Sequence, residues 1–407
     1  MTDRQKQLAL LIGGLLLVGL VFFAVYYFFF TGAKTTEPAS TLPNTSGTQT
    51  IPTTVTTKPN TGTGEQTTPQ EPTLFQIHDK PIVSFVVFVR KDNSYARFIE
   101  QGSGHVYEYN FDTKQKIRIS NTSIPQIATA TWARDGNTVV FQYLETGITR
   151  TAVGELATTS TEGSYKKITF LPAGLGTVAL SPDGAEVAYT TTNQSGGVVV
   201  VSKKDGTSPR TVFTSPLTRW LISWPSKDNL LVETPLSQYG GIAYSINVRS
   251  GAQKTLTATA GPFSGLTGAS DGISYLYSPS WARGITRLNS KDNTEYALFS
   301  MNTIPDKCSF MATSTDYAIC GVGSGAGAAI LYNLEGWLRG EGLVRDTVFI
   351  INYRLGYWTP PIRAEDQGDR VFDVEHIEAN ARLTFAAFKE LEGETLWGIF
   401  LRKGLIL

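Results

Sequence analysis

Three stretches of this sequence share one tight turn: Trp132-Ala133-Arg134-Asp135-Gly136, Ser181-Pro182-Asp183-Gly184 and Ala269-Ser270-Asp271-Gly272. An apolar run precedes each turn, and a second apolar run, such as Val187-Ala188-Tyr189, follows it. Asp-Gly is a common turn between antiparallel strands because Gly, and to a lesser extent Asp, tolerates positive φ. Each stretch is therefore predicted to be a strand–turn–strand unit in which Asp is a turn former.

The turns recur along the chain at a nearly constant spacing. Weaker copies occur at Trp224 to Asn229 and at Phe310 to Asp316, and the faintest is Glu378 to Arg382. The Asp residues of five copies are 48, 45, 43 and 45 residues apart, counted along Asp135, Asp183, Asp228, Asp271 and Asp316. Such a period, with several short strands per unit, is typical of β-propeller blades. Two stacked β-sandwiches would also contain many tight turns, but they would not repeat at this period.

Seven units of this kind fit into the chain after residue 73. The first unit lacks the Asp-Gly turn but contains four predicted strands between Ile82 and Ser120. The last unit, Val371 to Lys403, has room for only three, while Leu74 to His78 is a spare apolar strand before the first unit. We therefore predict an all-β propeller of seven four-stranded blades, in which the spare strand completes the last blade and closes the ring. Six or eight blades are the alternatives, because the weaker copies can be counted in more than one way.

An uncharged apolar run, Leu8 to Phe30, precedes the repeats. As a helix it would be roughly 35 Å long, enough to cross a hydrocarbon core of about 30 Å. Arg4 and Lys6 precede the run and only Lys34 follows it closely, so the positive-inside rule places residues 1–7 in the cytoplasm and the later residues outside. A cleaved signal peptide is the alternative, although its apolar core is usually only about 7–15 residues long.

Residues 31–73 are rich in Thr, Pro, Ser and Gly and contain few apolar side chains. Such a segment cannot bury enough apolar surface to offset its conformational entropy, so we expect a disordered stalk. The predicted organisation is a cytoplasmic tail (1–7), a transmembrane helix (8–30), the stalk (31–73) and an extracytoplasmic propeller (74–407).

Charge and motifs argue against several classes of function. The 35 basic residues balance the 35 acidic residues, so no basic excess favours a nucleic-acid partner. The sequence has no His-Glu-x-x-His motif and no Walker loop, and its three His residues have no metal-ligand spacing. We therefore assign no catalytic, cofactor-binding or metal-binding residue and expect a protein that is not an enzyme.

Cys308 and Cys320 are the only cysteines, and they flank a predicted turn near Ser314. Residues equidistant from a hairpin turn face each other, so a disulfide can join these two across the strands. A disulfide also fits an oxidising compartment outside the cell membrane. Two buried thiols are the alternative.

One region of the sixth unit departs from the repeat. It contains an apparent insertion, Leu331 to Gly342, and four residues of the types that anchor protein partners: Trp337, Arg339, Tyr357 and Trp358. We predict that these four residues form a partner-binding cluster. The alternative is that they are ordinary strand and core residues.

The Trp-x-x-Asp-Gly and Ser-Pro-Asp-Gly turns resemble those of TolB-type and WD-repeat-like propellers of the bacterial envelope. The whole chain is also similar to membrane-anchored propeller proteins of uncultured small-genome bacteria, through segments such as Gly104 to Glu108, Arg118 to Pro125 and Pro305 to Cys308. The resemblance implies a fold and an envelope location, but it carries no activity with it.

These observations predict a membrane-anchored extracytoplasmic propeller that binds or scaffolds a protein or glycan of the cell envelope. A cell-surface hydrolase with its active site at the mouth of the propeller channel is the main alternative. Three inward carboxylates, or a His–acid pair, with shifted pKa values at one mouth would favour the hydrolase. A mouth lined by backbone, Thr and Val would favour the binding module. A sensor that signals through the short cytoplasmic tail is a third possibility.

Overall fold

Antiparallel four-stranded sheets make up nearly all of the described structure. The computed structural model describes residues 74–156, 165–278, 284–299, 301–311, 314–324, 334–341, 344–358, 372–382 and 384–401. The chain divides into two compact units, Met1–Thr67 and Thr68–Leu407, and only the second contains described residues. The predicted membrane helix (8–30) and stalk (31–73) lie outside the described residues. Within the described part, no helix is long and apolar enough to span a membrane.

Seven sheets, each a blade, follow one another along the chain, and the strands of every blade are named from the innermost to the outermost. Blade 1 contains β2 (Ile82–Arg90), β3 (Asn93–Glu100), β4 (Val106–Asn110) and β5 (Gln115–Arg118). Blade 2 contains β6 (Ile127–Trp132), β7 (Thr138–Glu145), β8 (Ile148–Leu156) and β9 (Tyr165–Phe170). Blade 3 contains β10 (Val178–Leu180), β11 (Glu186–Asn193), β12 (Gly196–Lys203) and β13 (Arg210–Ser215). Blades 4 and 5 contain β14 (Leu221–Ser223), β15 (Asn229–Glu233), β16 (Gly241–Asn247) and β17 (Gln253–Thr259); β18 (Leu266–Gly268), β19 (Ser274–Tyr277), β20 (Gly284–Asn289) and β21 (Thr294–Phe299). Blades 6 and 7 contain β22 (Cys308–Met311), β23 (Ser314–Ser324), β24 (Arg345–Asn352) and β25 (Tyr357–Trp358); β26 (Val374–Ala379), β27 (Phe385–Glu390), β28 (Leu396–Phe400) and β1 (Leu74–His78).

The chain is thus a seven-bladed β-propeller, and the predicted closure of its ring is confirmed. Strand β1 pairs antiparallel with β28, with Leu74 opposite Ile399 and His78 opposite Leu396. Blade 7 also contacts blade 1 through a hydrogen bond from Nδ2 of Asn380 to Oγ of Ser94, at 2.7 Å. The first strand of the domain therefore completes its last sheet.

The Asp residues of the repeat form turns, as predicted. In blade 3, Oδ1 of Asp183 accepts hydrogen bonds from Oγ of Ser181 (2.6 Å) and from the backbone N–H of Ala185 (3.1 Å). Gly184 follows with φ of 67°, a conformation that glycine adopts at little cost. The side chain of Asp thus holds the turn while Gly supplies its backbone geometry.

The same turns also join neighbouring blades. A Cβ placed on Gly136 of blade 2 would lie only 2.7 Å from Cε1 of Phe88 in blade 1. The buried Arg97 of blade 1 donates from Nη1 to the carbonyl oxygen of Gly136 (2.7 Å), while its Nε pairs with Glu108 (2.6 Å). Between blades 4 and 5, Nδ2 of Asn229 donates to the carbonyl oxygen of Gly272 (3.1 Å). Each glycine therefore forms a turn and also allows close contact with the preceding blade.

The strand order gives the ring two distinct faces. Turns between first and second strands, and between third and fourth strands, lie on one face, which we call face 1. Turns between second and third strands lie on the opposite face, face 2, together with the connections between blades. Because β1 runs antiparallel to β28, the chain enters the propeller at the face-1 end of β1.

Cys308 and Cys320 lie directly opposite each other on β22 and β23. Their sulfur atoms are 2.09 Å apart, which is a disulfide bond, and their Cα atoms are 4.1 Å apart. Both side chains are buried in blade 6. The bond links the first two strands of that blade next to the central channel.

The insertion in the sixth unit lies between β23 and β24 and therefore on face 2. Its described part is a short helix, α1 (Leu334–Leu338), followed by a turn. Leu334 and Trp337 pack with Ile304, Val344 and Leu391 in a small apolar cluster of their own.

Candidate functional site

The innermost strands of all seven blades surround a central channel, and we call its opening on face 2 the mouth. A cavity of about 740 Å³ occupies the mouth, and a second one of about 790 Å³ extends toward face 1. The mouth is lined by Thr, Ser and apolar residues together with carboxyl groups from three blades: Glu233, Asp306 and Glu375. Polar groups that converge in a cavity of this size mark a candidate ligand site.

Glu233 and Asp306 form a pair of carboxyl groups at the mouth. Glu233 is the last residue of β15, and its Oε2 accepts a hydrogen bond from the backbone N–H of Leu266 (2.9 Å). Asp306 lies in the 3-10 turn Pro305–Lys307 that precedes β22. A Cβ built on Gly265 would lie 3.6 Å from Oε1 of Glu233 and 3.9 Å from Oδ1 of Asp306, so both carboxyl groups border the same point.

Both members of this pair favour the protonated form more than an ordinary carboxyl group does. Burial, and then the neighbouring Asp306 carboxylate, raise the pKa of Glu233 well above its usual range. Burial raises the pKa of Asp306 to about 6, although His376 partly opposes this. Desolvation penalises the charged form of each group, so each carboxyl group is protonated more readily than one in water.

A His–acid pair lies on β26 beside these carboxyl groups. Nε2 of His376 is 3.2 Å from Oε1 of Glu378, and Oε2 of Glu378 accepts the backbone N–H of Val87 in blade 1 (2.9 Å). Burial alone would lower the pKa of His376, but the hydrogen bond to Glu378 and the charges of Glu378 and Asp306 raise it. The imidazole remains 47 % exposed to the channel.

The mouth therefore contains the features expected of the hydrolase alternative: carboxyl groups from several blades, a His–acid pair and raised pKa values. Thr129, Thr177 and Val178, the residue types expected of the binding module, also line it. The sequence alone assigns no role to Glu233, Asp306 or His376, because none of them belongs to the repeated turn or to a catalytic motif. Within the described residues, no group of three His, Cys, Asp or Glu side chains has the arrangement of a metal site.

Trp337 does not belong to an exposed cluster. Its side chain is 2 % exposed, and its Nε1 donates to both carboxylate oxygens of Asp373, each at 3.1 Å. Nζ of Lys307 lies 2.6 Å from Asp373 and from Asp346, and 4.8 Å from the centre of the Trp337 ring. Trp337 thus attaches the insertion to the wall of the mouth, and in this position it cannot insert into a partner.

The other three residues of the predicted partner-binding cluster are exposed but are not brought together. Arg339 follows α1 on face 2, where its Nε pairs with Oε1 of Glu341 (2.7 Å). Tyr357 and Trp358 lie on β25, which follows a face-1 turn, and they are 37 % and 49 % exposed. Their role in binding a partner stays a prediction, but the four residues do not form one site.

Face 2 exposes another set of large apolar side chains. They lie in the hairpins and connections of blades 2 to 4, and we call them the apolar rim: Leu144 (49 % exposed), Ile148 (46 %), Phe170 (66 %), Leu217 (52 %) and Tyr239 (82 %). Single exposed apolar residues are ordinary, whereas several on one face make that face a candidate interaction surface.

No protein-family model matches the sequence, and no curated protein is similar to it. Its fold is similar to that of the β-propeller domain of Cps50 (Swd1) from Myceliophteria thermophila, with a TM-score of 0.51, 12 % identity and coverage of 81 % of this chain and 100 % of that domain. It is also similar to TolB from Acinetobacter baumannii, with a TM-score of 0.42, 13 % identity and coverage of 62 % of this chain. The matched region spans 58 % of the TolB chain. At such identities, the likeness to the Cps50 domain supports the propeller fold alone.

Proposed function

We propose that this chain is a binding module of the cell envelope, anchored in the cell membrane by residues 8–30 and carrying its propeller outside on the stalk (31–73). The propeller is not an enzyme in this proposal, and it holds a protein partner on face 2. The observation that carries the proposal is the apolar rim, because the exposure of five large apolar side chains to water is unfavourable and a partner would remove it.

The chemistry of the rim favours a protein over a glycan. Three of its five residues are the aliphatic Leu144, Ile148 and Leu217, which pack against apolar side chains but offer no flat ring for a sugar. The rigid ring of the propeller supports the rim, since the rim residues lie in hairpins and connections between paired strands. The described chain enters the propeller at the face-1 end of β1, on the face opposite the rim.

Cross-linked pull-down from native membranes with the full-length protein tests this proposal. We expect the double variant Phe170→Asp/Tyr239→Asp to capture its partner at least about tenfold less than the parent, because a carboxylate in an apolar contact must be desolvated. The matched control is Leu355→Asp/Trp358→Asp, which places the same charges on exposed apolar positions of blade 6 at face 1.

Equal capture by the parent and by the face-2 variant would contradict the proposal. Loss of the partner only in the blade 6 variant would move the binding surface to Leu355, Tyr357 and Trp358. Failure of the parent to enrich any protein would point to a glycan ligand, which a panel of envelope polysaccharides would then identify.

A cell-surface hydrolase is a second candidate, favoured by the Glu233–Asp306 pair and the His376–Glu378 pair. Two neighbouring carboxyl groups with raised pKa values can divide the roles of general acid and general base. Turnover of a labelled envelope polysaccharide or peptide by the parent, lost in both Glu233→Gln and Asp306→Asn, would establish this candidate. Turnover that persists in both variants would exclude these carboxyl groups from catalysis.

A further inference from the structure

Several buried acidic groups elsewhere in the propeller have basic partners. Glu108 pairs with Arg97 and Arg90, each at 2.6 Å. Asp346 and Asp373 share Lys307. Burial of a carboxylate is costly unless a cation and hydrogen bonds replace its water, and these pairs meet that requirement.

Glu233 and Asp306 differ from these groups. Among the described residues, neither forms an ion pair with a Lys or Arg side chain, and the basic group that acts on Asp306 is His376. His376 is already paired with Glu378, and the nearby Glu375 pairs with Lys389 (2.9 Å). The negative charge of the Glu233–Asp306 pair is therefore uncompensated within the described part of the chain, and it faces a cavity of about 740 Å³.

The uncompensated pair and the apolar rim lie on the same face. The rim residues Leu217 and Tyr239 lie in the connections that flank β14 and β15, and Glu233 is the last residue of β15. A complementary partner must therefore combine one positive charge with apolar neighbours. A Lys or Arg side chain meets the first requirement, since its long apolar stem can line a channel while its charged end reaches a carboxylate.

We propose that face 2 binds a protein segment that inserts one Lys or Arg side chain into the mouth, against Glu233 and Asp306, and lays its apolar neighbours on the apolar rim. This inference rests on the proposed function, because it names the chemistry of the partner that face 2 holds. The charge of the inserted group supplies the counter-ion that the mouth lacks, and the rim supplies apolar contact area.

Two blocked peptides test the proposal on the full-length protein in detergent micelles. One has a single Arg between Leu and Phe residues, and the other has citrulline, which is nearly isosteric but uncharged, at the same position. We expect the Arg peptide to bind about tenfold or more tightly than the citrulline peptide at neutral pH, as measured by fluorescence anisotropy.

The preference should fall to about twofold or less in the double variant Glu233→Gln/Asp306→Asn, which keeps the shape of both side chains. The matched control is Glu145→Gln, which removes a face-2 carboxylate that is 52 % exposed and already paired with Arg150, and which should leave the preference unchanged.

Equal binding of the two peptides, absence of binding by either, or a preference that survives in Glu233→Gln/Asp306→Asn would each overturn the inference. These outcomes are separate from failure of the proposed function. A native partner that depends on Phe170 and Tyr239 but shows no charge preference would leave face 2 as the binding surface and reject only the inserted basic side chain.

Discussion

At the scale of single residues, some buried charged groups of the propeller have ionic partners and others do not. Lys307 has no exposed surface and contacts two carboxylates and the ring of Trp337. Replacing one partner of such a group leaves an uncompensated buried charge and typically costs about 3–5 kcal/mol. Glu233 and Asp306, in contrast, form no ion pair with a Lys or Arg side chain among the described residues, so their burial lowers the stability of the folded state.

Because its pKa is raised, Asp306 should make the free energy of unfolding depend on pH. Its folded-state pKa of about 6 is above the ordinary value of 3.8, so the folded state binds the proton more tightly than the unfolded state. Relative to the ionised form, the protonated Asp306 side chain favours the folded state. This stabilisation is fully present below about pH 4 and is lost as the pH rises through about 6. We therefore expect Asp306→Asn to raise the free energy of unfolding by about 1–3 kcal/mol at pH 7, and the gain to disappear toward pH 4.

Urea unfolding of the full-length protein at several pH values would check this expectation. Glu145→Gln is the control, because the exposed Glu145–Arg150 pair should contribute less than about 1 kcal/mol at any of these pH values. A loss of stability in Asp306→Asn at pH 7 would mean that the Asp306 carboxylate has a stabilising partner in the folded protein, and it would weaken the case for an uncompensated charge.

At the scale of elements, each Asp-Gly turn has two separate requirements. The turn needs a residue that adopts positive φ, and the contact with the neighbouring blade needs a residue without a Cβ. Gly136 faces both requirements, since its φ is 68° and Phe88 lies against it. Gly147, in the β7–β8 turn of the same blade, has φ of 79°, but a Cβ added to it would have no neighbour within 4 Å.

These two glycines allow the two requirements to be measured separately. Gly147→Ala should cost about 1 kcal/mol, which is the usual cost of a left-handed alanine. Gly136→Ala should cost about 1–3 kcal/mol more, because its methyl group would overlap the Phe88 ring and force a shift between blades 1 and 2. Denaturant unfolding of both variants would give the difference, and equal losses would show that blade contact does not constrain the turn.

At the scale of the whole molecule, the fold was predictable because the blades repeat. Blades 2, 3 and 5 contain the same Asp-Gly turn, so Asp135, Asp183 and Asp271 recur with a visible period. The mouth was not predictable, because Glu233 and Asp306 are far apart in sequence and meet only when the ring is closed. The burial of Trp337 was unpredictable for a related reason. A Trp in an insertion is compatible with an exposed binding residue and with a buried one, and only its contact with Asp373, which is distant in sequence, shows that it is buried.

The closed ring also depends on a single short strand. β1 is the only strand taken from the start of the described propeller to complete a blade at its end, and Ile77 of β1 packs in the core between blades 7 and 1. Ile77→Asp would bury a charge and detach β1 from β28, leaving β28 as an unprotected edge. We expect a loss of at least about 3 kcal/mol in the free energy of unfolding, faster hydrogen exchange at the β28 amides that face β1, and association of the protein through the open edge.

Gln76→Asp adds the same charge to an exposed position of the same strand and should change stability by less than about 1 kcal/mol. Unfolding, hydrogen exchange and size-exclusion chromatography of the two variants measure these effects. Unchanged exchange in β28 of the Ile77→Asp variant would mean that the other six blades hold the seventh in place without β1.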